Sequence, residues 1–242
     1  MKRNLIRAGL FLTMLGLAAL LVYGCFVTVL PDLWPVVKSG DEAAIEEYLR
    51  SASQVKGLVC LGLLQFVQVV SVVLPGAPIQ IAGGVVFGTL RSFAVCHLCF
   101  VAANAFVFWL ARRLGSRLEQ LLGLEEAGGG KAAEFLNSND PGFMAALACL
   151  MPGIPNGIVP YAAARTALTL RRFAGAVYLA SLAPILVMCA VGRRLLSGDY
   201  LPAAAMIAVL LAAIFLLWRY RVKVWRLEQK LRAGLRGRGK NG

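Results

Sequence analysis

The sequence predicts an all-α polytopic membrane protein: about four full transmembrane helices plus two opposed, proline-broken re-entrant hairpins, laid out as an inverted repeat. Three observations carry this. Hydrophobic residues make up 59% of the 242-residue chain, and mean hydropathy is +0.73, well above the roughly 45–50% apolar content of soluble domains. Four uncharged runs, 8–30, 92–111, 173–192 and 200–218, are long enough to cross a hydrocarbon core about 30 Å thick. Two further apolar segments, 57–90 and 141–164, are interrupted by proline.

Taken in order, the run 8–30 follows Lys2, Arg3 and Arg7. It is about twice as long as a signal-peptide core and lacks a clean small-residue cleavage site, so it reads as a retained anchor. Asp41, Glu42, Glu46 and Glu47 then fall on a short surface helix ending near Arg50. The segment 57–90 has 34 uncharged residues, which as one helix would reach about 50 Å. A straight span does not fit the bilayer. A helical hairpin turning at Leu74-Pro75-Gly76-Ala77-Pro78 does. Non-helical backbone at membrane depth is tolerated only inside protein or beside a water-filled cavity, so this break marks a site. After the span 92–111, residues 112–139 form a linker containing Gly128, Gly129 and Gly130. The segment 141–164 is broken by Pro152-Gly153-Ile154-Pro155 and again at Pro160, each proline removing a backbone donor and crowding the preceding turn. The spans 173–192 and 200–218 complete the bundle. The expected organisation is an N-terminal anchor and external segment (1–54), a core with both hairpins (55–195), a last helix (196–220) and a basic tail (221–242).

Charge separates two topologies. With both termini in the cytoplasm and both broken segments returning, ten basic residues outside the tail lie inside and six outside. If both segments cross once, the count becomes seven against nine. The positive-inside rule therefore favours hairpins that enter from opposite faces. Opposed broken elements of this kind are common in secondary transporters, whose sites lie where they meet near the midplane. The tail from Arg219 carries nine of the 25 Lys and Arg, interleaved with Trp225, Leu227, Leu231 and Leu235. Such a tail directly after a span reads as an anchor on anionic lipid headgroups rather than as a nucleic-acid binder.

The six cysteines all lie in apolar stretches and do not form a disulfide framework. Cys96-His97-Leu98-Cys99 has metal-ligand residue types but no second half, so no metal and no cofactor is expected. His97, the only histidine, is expected to be packed and neutral. Gln65, Gln68 and Ser71 share one helix face, and polar groups in hydrocarbon are costly unless paired, so that face should point into the protein. Gln80 follows the turn, and Gly83, Gly84 and Gly88 allow close backbone approach. Asn104 lies mid-span, with Arg112 and Arg113 at the end of that span. Arg165 closes the second hairpin after Tyr161-Ala162-Ala163-Ala164 and has the fork geometry to meet a phosphate. No Asp or Glu falls in any membrane segment, which leaves a carboxylate proton relay without a carrier. There is no Walker motif, no acidic pair for Mg²⁺ and no outstanding Ser-His-Asp spacing, so an enzyme is not expected.

The two broken segments resemble the DedA family and its relatives, the SNARE-associated Golgi protein or VTT-domain superfamily. The first block runs from Gln65 through Pro75-Gly76-x-Pro78 and Gly83-Gly84-x-x-Phe87-Gly88-Thr89 to Phe108-x-x-Ala111-Arg112-x-x-Gly115. The second is Pro152-Gly153-Ile154-Pro155, Tyr161-Ala-Ala-Ala164 and Phe173. The resemblance implies two facing re-entrant hairpins and, by analogy with members of the family, movement of lipids across or between leaflets. Bacterial members are associated with recycling undecaprenyl phosphate and with membrane homeostasis driven by the proton-motive force; eukaryotic relatives look like scramblases. This chain departs from the pattern in several places. Gln65, Gln68 and Gln80 occupy the region where many members have acidic residues. Cys149 replaces an arginine ahead of the second Pro-x-x-Pro, Asn156-Gly157 a Lys-Asp pair, and Ala164 a glycine. Arg112 is the one charged motif position that matches.

The leading expectation is a lipid or polyprenyl-phosphate translocator or scramblase in the bacterial plasma membrane, with both termini cytoplasmic. Its expected pathway is formed by Gln65, Gln68, Pro75, Gly76, Pro78, Gln80, Gly83, Gly84, Gly88, Asn104, Arg112, Pro152, Pro155, Asn156, Tyr161 and Arg165. Its partners would be membrane lipids, including a phosphate-bearing one, and an oligomer is allowed. The alternatives are a proton- or ion-coupled antiporter and a non-transporting membrane organiser acting through the tail.

Overall fold

A computed structural model of the chain describes residues 53–71, 75–114, 141–150 and 157–220, with single positions at 16, 20, 23, 24 and 27. The described residues form seven helices and no strands: α1 (Ser53–Ser71), α2 (Gly76–Phe87), α3 (Thr89–Leu114), α4 (Pro141–Leu150), α5 (Ile158–Ala164), α6 (Leu170–Leu196) and α7 (Tyr200–Arg219). Four of them are long and apolar enough to cross a membrane: Gln54–Ser71 in α1, Thr89–Arg113 in α3, and the whole of α6 and α7. The expected anchor 8–30, of which only those single, helical positions are described, the surface helix after Asp41, most of the linker after Arg112 and the basic tail lie outside the described residues.

This differs from the sequence expectation in one respect. The first arm of the first broken segment is not a half-membrane piece but a complete candidate span. The helix starts before the apolar run, at Ser53, because Lys56 sits near a helix end where its long stem can carry the charge to the interface. The prolines also act differently from simple breaks. Pro75 is the extended N-cap of α2, and Pro78 occupies that helix's third position. Pro160 is likewise the third residue of α5, and Pro202 the third of α7. First-turn N–H groups have no intrahelical partner, so proline there removes nothing. Among the described residues only Pro184 is interior, within the 27-residue α6, which continues through it.

Packing partners give the directions. A Cβ built at Gly76 would meet Gln68, and one at Gly83 would meet Leu61, so α2 runs antiparallel to α1. Gly62 lies against Val95 and Cys99, and the Phe66 and Phe106 rings are 5.7 Å apart, so α1 and α3 run in the same direction. His97 meets Ser181 and Phe108 stacks on Phe173, so α6 runs against α3. α1 and α3 therefore begin at one end of the bundle, and α5 finishes at the other, beside Arg112. Among the described residues, Lys56, Arg91, Arg193 and Arg194 lie at the first end, and Arg112, Arg113, Arg165, Arg171, Arg172 and Arg219 at the second.

The tightest contact is a crossing of α2 and α6. A Cβ at Gly84 would collide with the Cys189 carbonyl, and one at Gly192 with the Ile81 carbonyl. Two glycines at the crossing let the backbones touch, which is how apolar helices associate where no hydrophobic force drives them together. The core around them includes Val69, Phe87, Cys96, Phe100, Val107, Phe108, Phe173, Val177 and Cys189. α7 buries only Ala203 and Leu210 and leaves Val209, Leu211, Phe215 and Leu216 exposed. That is the surface of a helix facing lipid.

Candidate functional site

The polar side chains of the first half are inside the protein. Gln65 and Asn104 are wholly buried, Gln68 is 3% exposed and Gln80 7%. Contacts on either side, Gly62 with Cys99 and Phe66 with Phe106, bring Gln65 and Asn104 to one level of the α1–α3 interface. Their hydrogen bonding is incomplete. Asn104 Nδ2 donates to the Phe100 carbonyl at 2.9 Å, but its Oδ1 has no partner. Both ends of the Gln65 amide and the Gln68 Nε2 are also unpartnered, as is Ser92 Oγ. A buried polar atom without a partner costs about 1–3 kcal/mol. These four residues, together with His97, carry the buried side-chain polar atoms that have no partner among the described residues.

Glycine makes room for them. Gly76 lies directly against the Gln68 amide, where a Cβ would approach within 3.2 Å. Gly83 takes Leu61 and Ser92 in the same way. Gly88 has φ 75° and ψ 169°, a conformation open essentially to glycine alone, and it turns the chain from α2 into α3 in one residue. Pro75 and Pro78 are exposed at the start of α2.

The second half is arranged differently. The Arg112 guanidinium donates from Nε to the Ala164 carbonyl (3.3 Å), from Nη1 to Leu168 (2.8 Å) and from Nη2 to Thr166 (2.5 Å). These carbonyls lie at the end of α5 and in the turn before α6, where helix geometry leaves acceptors open. Thr166 closes the turn: its hydroxyl donates to Ala163 at 2.8 Å and accepts from the Leu168 N–H at 3.2 Å. The guanidinium lies 4.7 Å over the Phe108 ring, which stacks on Phe173 at 4.6 Å. Three of Arg112's five donors thus tie α3 to the α5–α6 turn, a role that spacing in the sequence did not suggest. Tyr161 is buried in α5 and Arg165 is its exposed C-cap. Pro152, Pro155 and Asn156 lie outside the described residues.

Sequence reasoning also passed over a polar contact at His97. Ser181 Oγ donates to the Val177 carbonyl at 2.7 Å and lies 3.2 Å from His97 Nδ1. With the hydroxyl hydrogen so used, Nδ1–H is assigned as donor to Ser181, and Nε2 is a buried acceptor without a partner. The ring is stacked 5.3 Å from Phe93 and meets Tyr178 edge-on at 4.6 Å. Two halves of a contact 84 residues apart carry no signal in a single sequence. The five described cysteines are free, and Cys96 of α3 and Cys189 of α6 are fully buried in the core.

Residues 74–194 match the family model of the VTT domain, half of the chain, from just before α2 to the last turn of α6. The chain belongs to the VTT-domain family, that of DedA and the SNARE-associated Golgi proteins. It is an integral membrane protein. No curated protein and no solved structure matches it. The matched residues hold Gly84, Asn104, Arg112 and Arg165, whereas α1, with Gln65 and Gln68, precedes them.

Proposed function

We propose that this VTT-domain protein translocates or scrambles a phosphate-bearing lipid, without enzymatic chemistry, in a bacterial plasma membrane, with the six-arginine end of the bundle in the cytoplasm. In this reading the short helices α2, α4 and α5 are the re-entrant pieces: α2 turns back beside the spanning α1, and α4–α5 enters from the opposite face. The observation that carries it is the set of buried, unpartnered amides at Gln65, Gln68 and Asn104. A bundle that only needed to pack would have apolar residues there, since replacing such groups by apolar ones of the same shape is near neutral or stabilising. The polar level supplies donors and acceptors to a headgroup that has shed water. The positive-inside rule supports the orientation.

The test is reconstitution into liposomes carrying a fluorescent phospholipid, with a membrane-impermeant reductant reporting leaflet exchange. Wild type is expected to exchange lipid faster than protein-free liposomes, and the double variant Gln65→Leu, Gln68→Leu to lose most of that excess. Wild-type exchange no faster than in protein-free liposomes would sink the proposal.

A further inference from the structure

Charge is confined to the ends of the bundle. No Lys, Arg, Asp or Glu falls in 57–90, 92–111, 141–164, 173–192 or 200–218. The cations stand at the two ends, among them Lys56 and Arg91 at one and Arg112, Arg113, Arg171 and Arg172 at the other. Arg112 already spends three donors on the carbonyls of Ala164, Thr166 and Leu168. Between the ends lies a polar level that is wholly neutral. Asn104 is about 12 Å along α3 from Arg112, and Gln65 about 13 Å along α1 from Lys56. The atoms left open there are of both kinds. Gln65 Nε2 and Gln68 Nε2 are donors, and Gln65 Oε1 and Asn104 Oδ1 are acceptors. His97, the only histidine, is enclosed by Phe93, Tyr178 and Ser181.

We infer that the amide level selects zwitterionic phospholipids over net-anionic ones. A charge taken out of water is costly unless an opposite charge meets it. An anionic headgroup at Gln65 and Asn104 would find no cation, because the chain places none at that depth. A zwitterionic headgroup carries its own counter-charge and asks the protein only for dipoles. The mixed set of open atoms suits both of its ends. The amide N–H groups of Gln65 and Gln68 face a phosphate oxygen, and the amide oxygens of Gln65 and Asn104 turn their negative ends to the headgroup cation. A site built for an anion alone would present donors or cations without open acceptors. The arginines at the second end act one step earlier: they draw phosphate of either class to the surface, but they do not accompany it inward.

This selectivity names the substrate class of the proposed translocation and rests on that reading. The test therefore compares two lipids in one assay. Full-length protein is reconstituted in phosphatidylcholine liposomes holding a trace of acyl-chain-labelled phosphatidylcholine or phosphatidylglycerol, so the surface charge is the same in both. Exchange is followed at pH 8, well above the ordinary imidazole pKa of about 6.5, so His97 adds no cation. Above the protein-free rate, phosphatidylcholine is expected to exchange at least about tenfold faster than phosphatidylglycerol. Gln68→Lys sets an ammonium beside Gly76, which has no side chain, next to the exposed start of α2. It should raise phosphatidylglycerol exchange relative to phosphatidylcholine by about tenfold, while Gln68→Met leaves the wild-type ratio in place. Equal exchange of the two lipids by wild type, or faster phosphatidylglycerol, would overturn the selectivity and leave translocation standing. An unchanged ratio in folded Gln68→Lys would overturn the amides as the selecting groups. Where that variant is not recovered folded, the wild-type ratio decides. Exchange of neither lipid would sink the translocation reading and the selectivity with it.

Discussion

In the first helix pair, α1 and α2, the polar side chains Gln65 and Gln68 are buried with atoms that nothing among the described residues satisfies; in the second, α4 and α5, the open carbonyls from Ala163 onward are met by Thr166 and Arg112. Both second arms begin alike, with a proline at the third helical position. They differ in where the polar groups go. The first pair keeps unpaired amides and glycine-made space, and the second is tied to α3 by a cation at its foot. The difference separates a pair with buried amides that lack partners from a pair whose last turn is tied to α3 by a cation.

The largest expected effect tests the frame that holds the first pair. Gly84→Val should cost more than about 4 kcal/mol, because its side chain meets the Cys189 backbone, which cannot give way. No monodisperse folded protein should be recovered. Gly83→Ala, which displaces the flexible end of Leu61 and crowds the Ser92 Cβ only at 3.3 Å, should cost about 1 kcal/mol and remain folded. Equal behaviour of the two would remove the α2–α6 crossing as the fixed point.

Arg112→Ala should destabilise by about 2–3 kcal/mol, since three carbonyls lose one charged donor. Hydrogen exchange should rise in 164–169 and not in α2. Arg112→Lys should recover less than half, because an ammonium lacks the fork. Full recovery by lysine would show that charge alone matters there, and the second pair would no longer be the tied one.

Gly88→Ala should cost about 1–2 kcal/mol, read as a lower thermal midpoint, because its cause is backbone conformation and a Cβ there would meet nothing within 4 Å. The smallest and most diagnostic effect is of opposite sign. Gln65→Leu should raise stability by about 1 kcal/mol while lowering leaflet exchange. A destabilised Gln65→Leu would mean that the amide is a packing element after all, and the contrast between the two pairs would disappear.

Much of this was legible in the chain. Spans 92–111, 173–192 and 200–218 correspond to α3, α6 and α7, because length and hydropathy are local properties. The inward direction of Gln65 and Gln68 followed from the cost of polar groups in hydrocarbon. The prolines were legible as events but not as helix starts: a proline that breaks a helix and one that begins it look alike until the flanking dihedrals are known. Arg112 was visible as a charged position at the end of a span, but its acceptors lie 52 to 56 residues away.

By itself the sequence determined that this is a membrane protein, three of its candidate spans, and which of its residues are too polar for lipid, because the bilayer acts on each segment through its own length and composition. Only the tertiary structure decided that Gly84 meets Gly192, that Arg112 holds the α5–α6 turn, that His97 meets Ser181, and that the amides of α1 are left without partners. Each of those is a contact between distant segments, and close approach is set by the shapes of two surfaces at once.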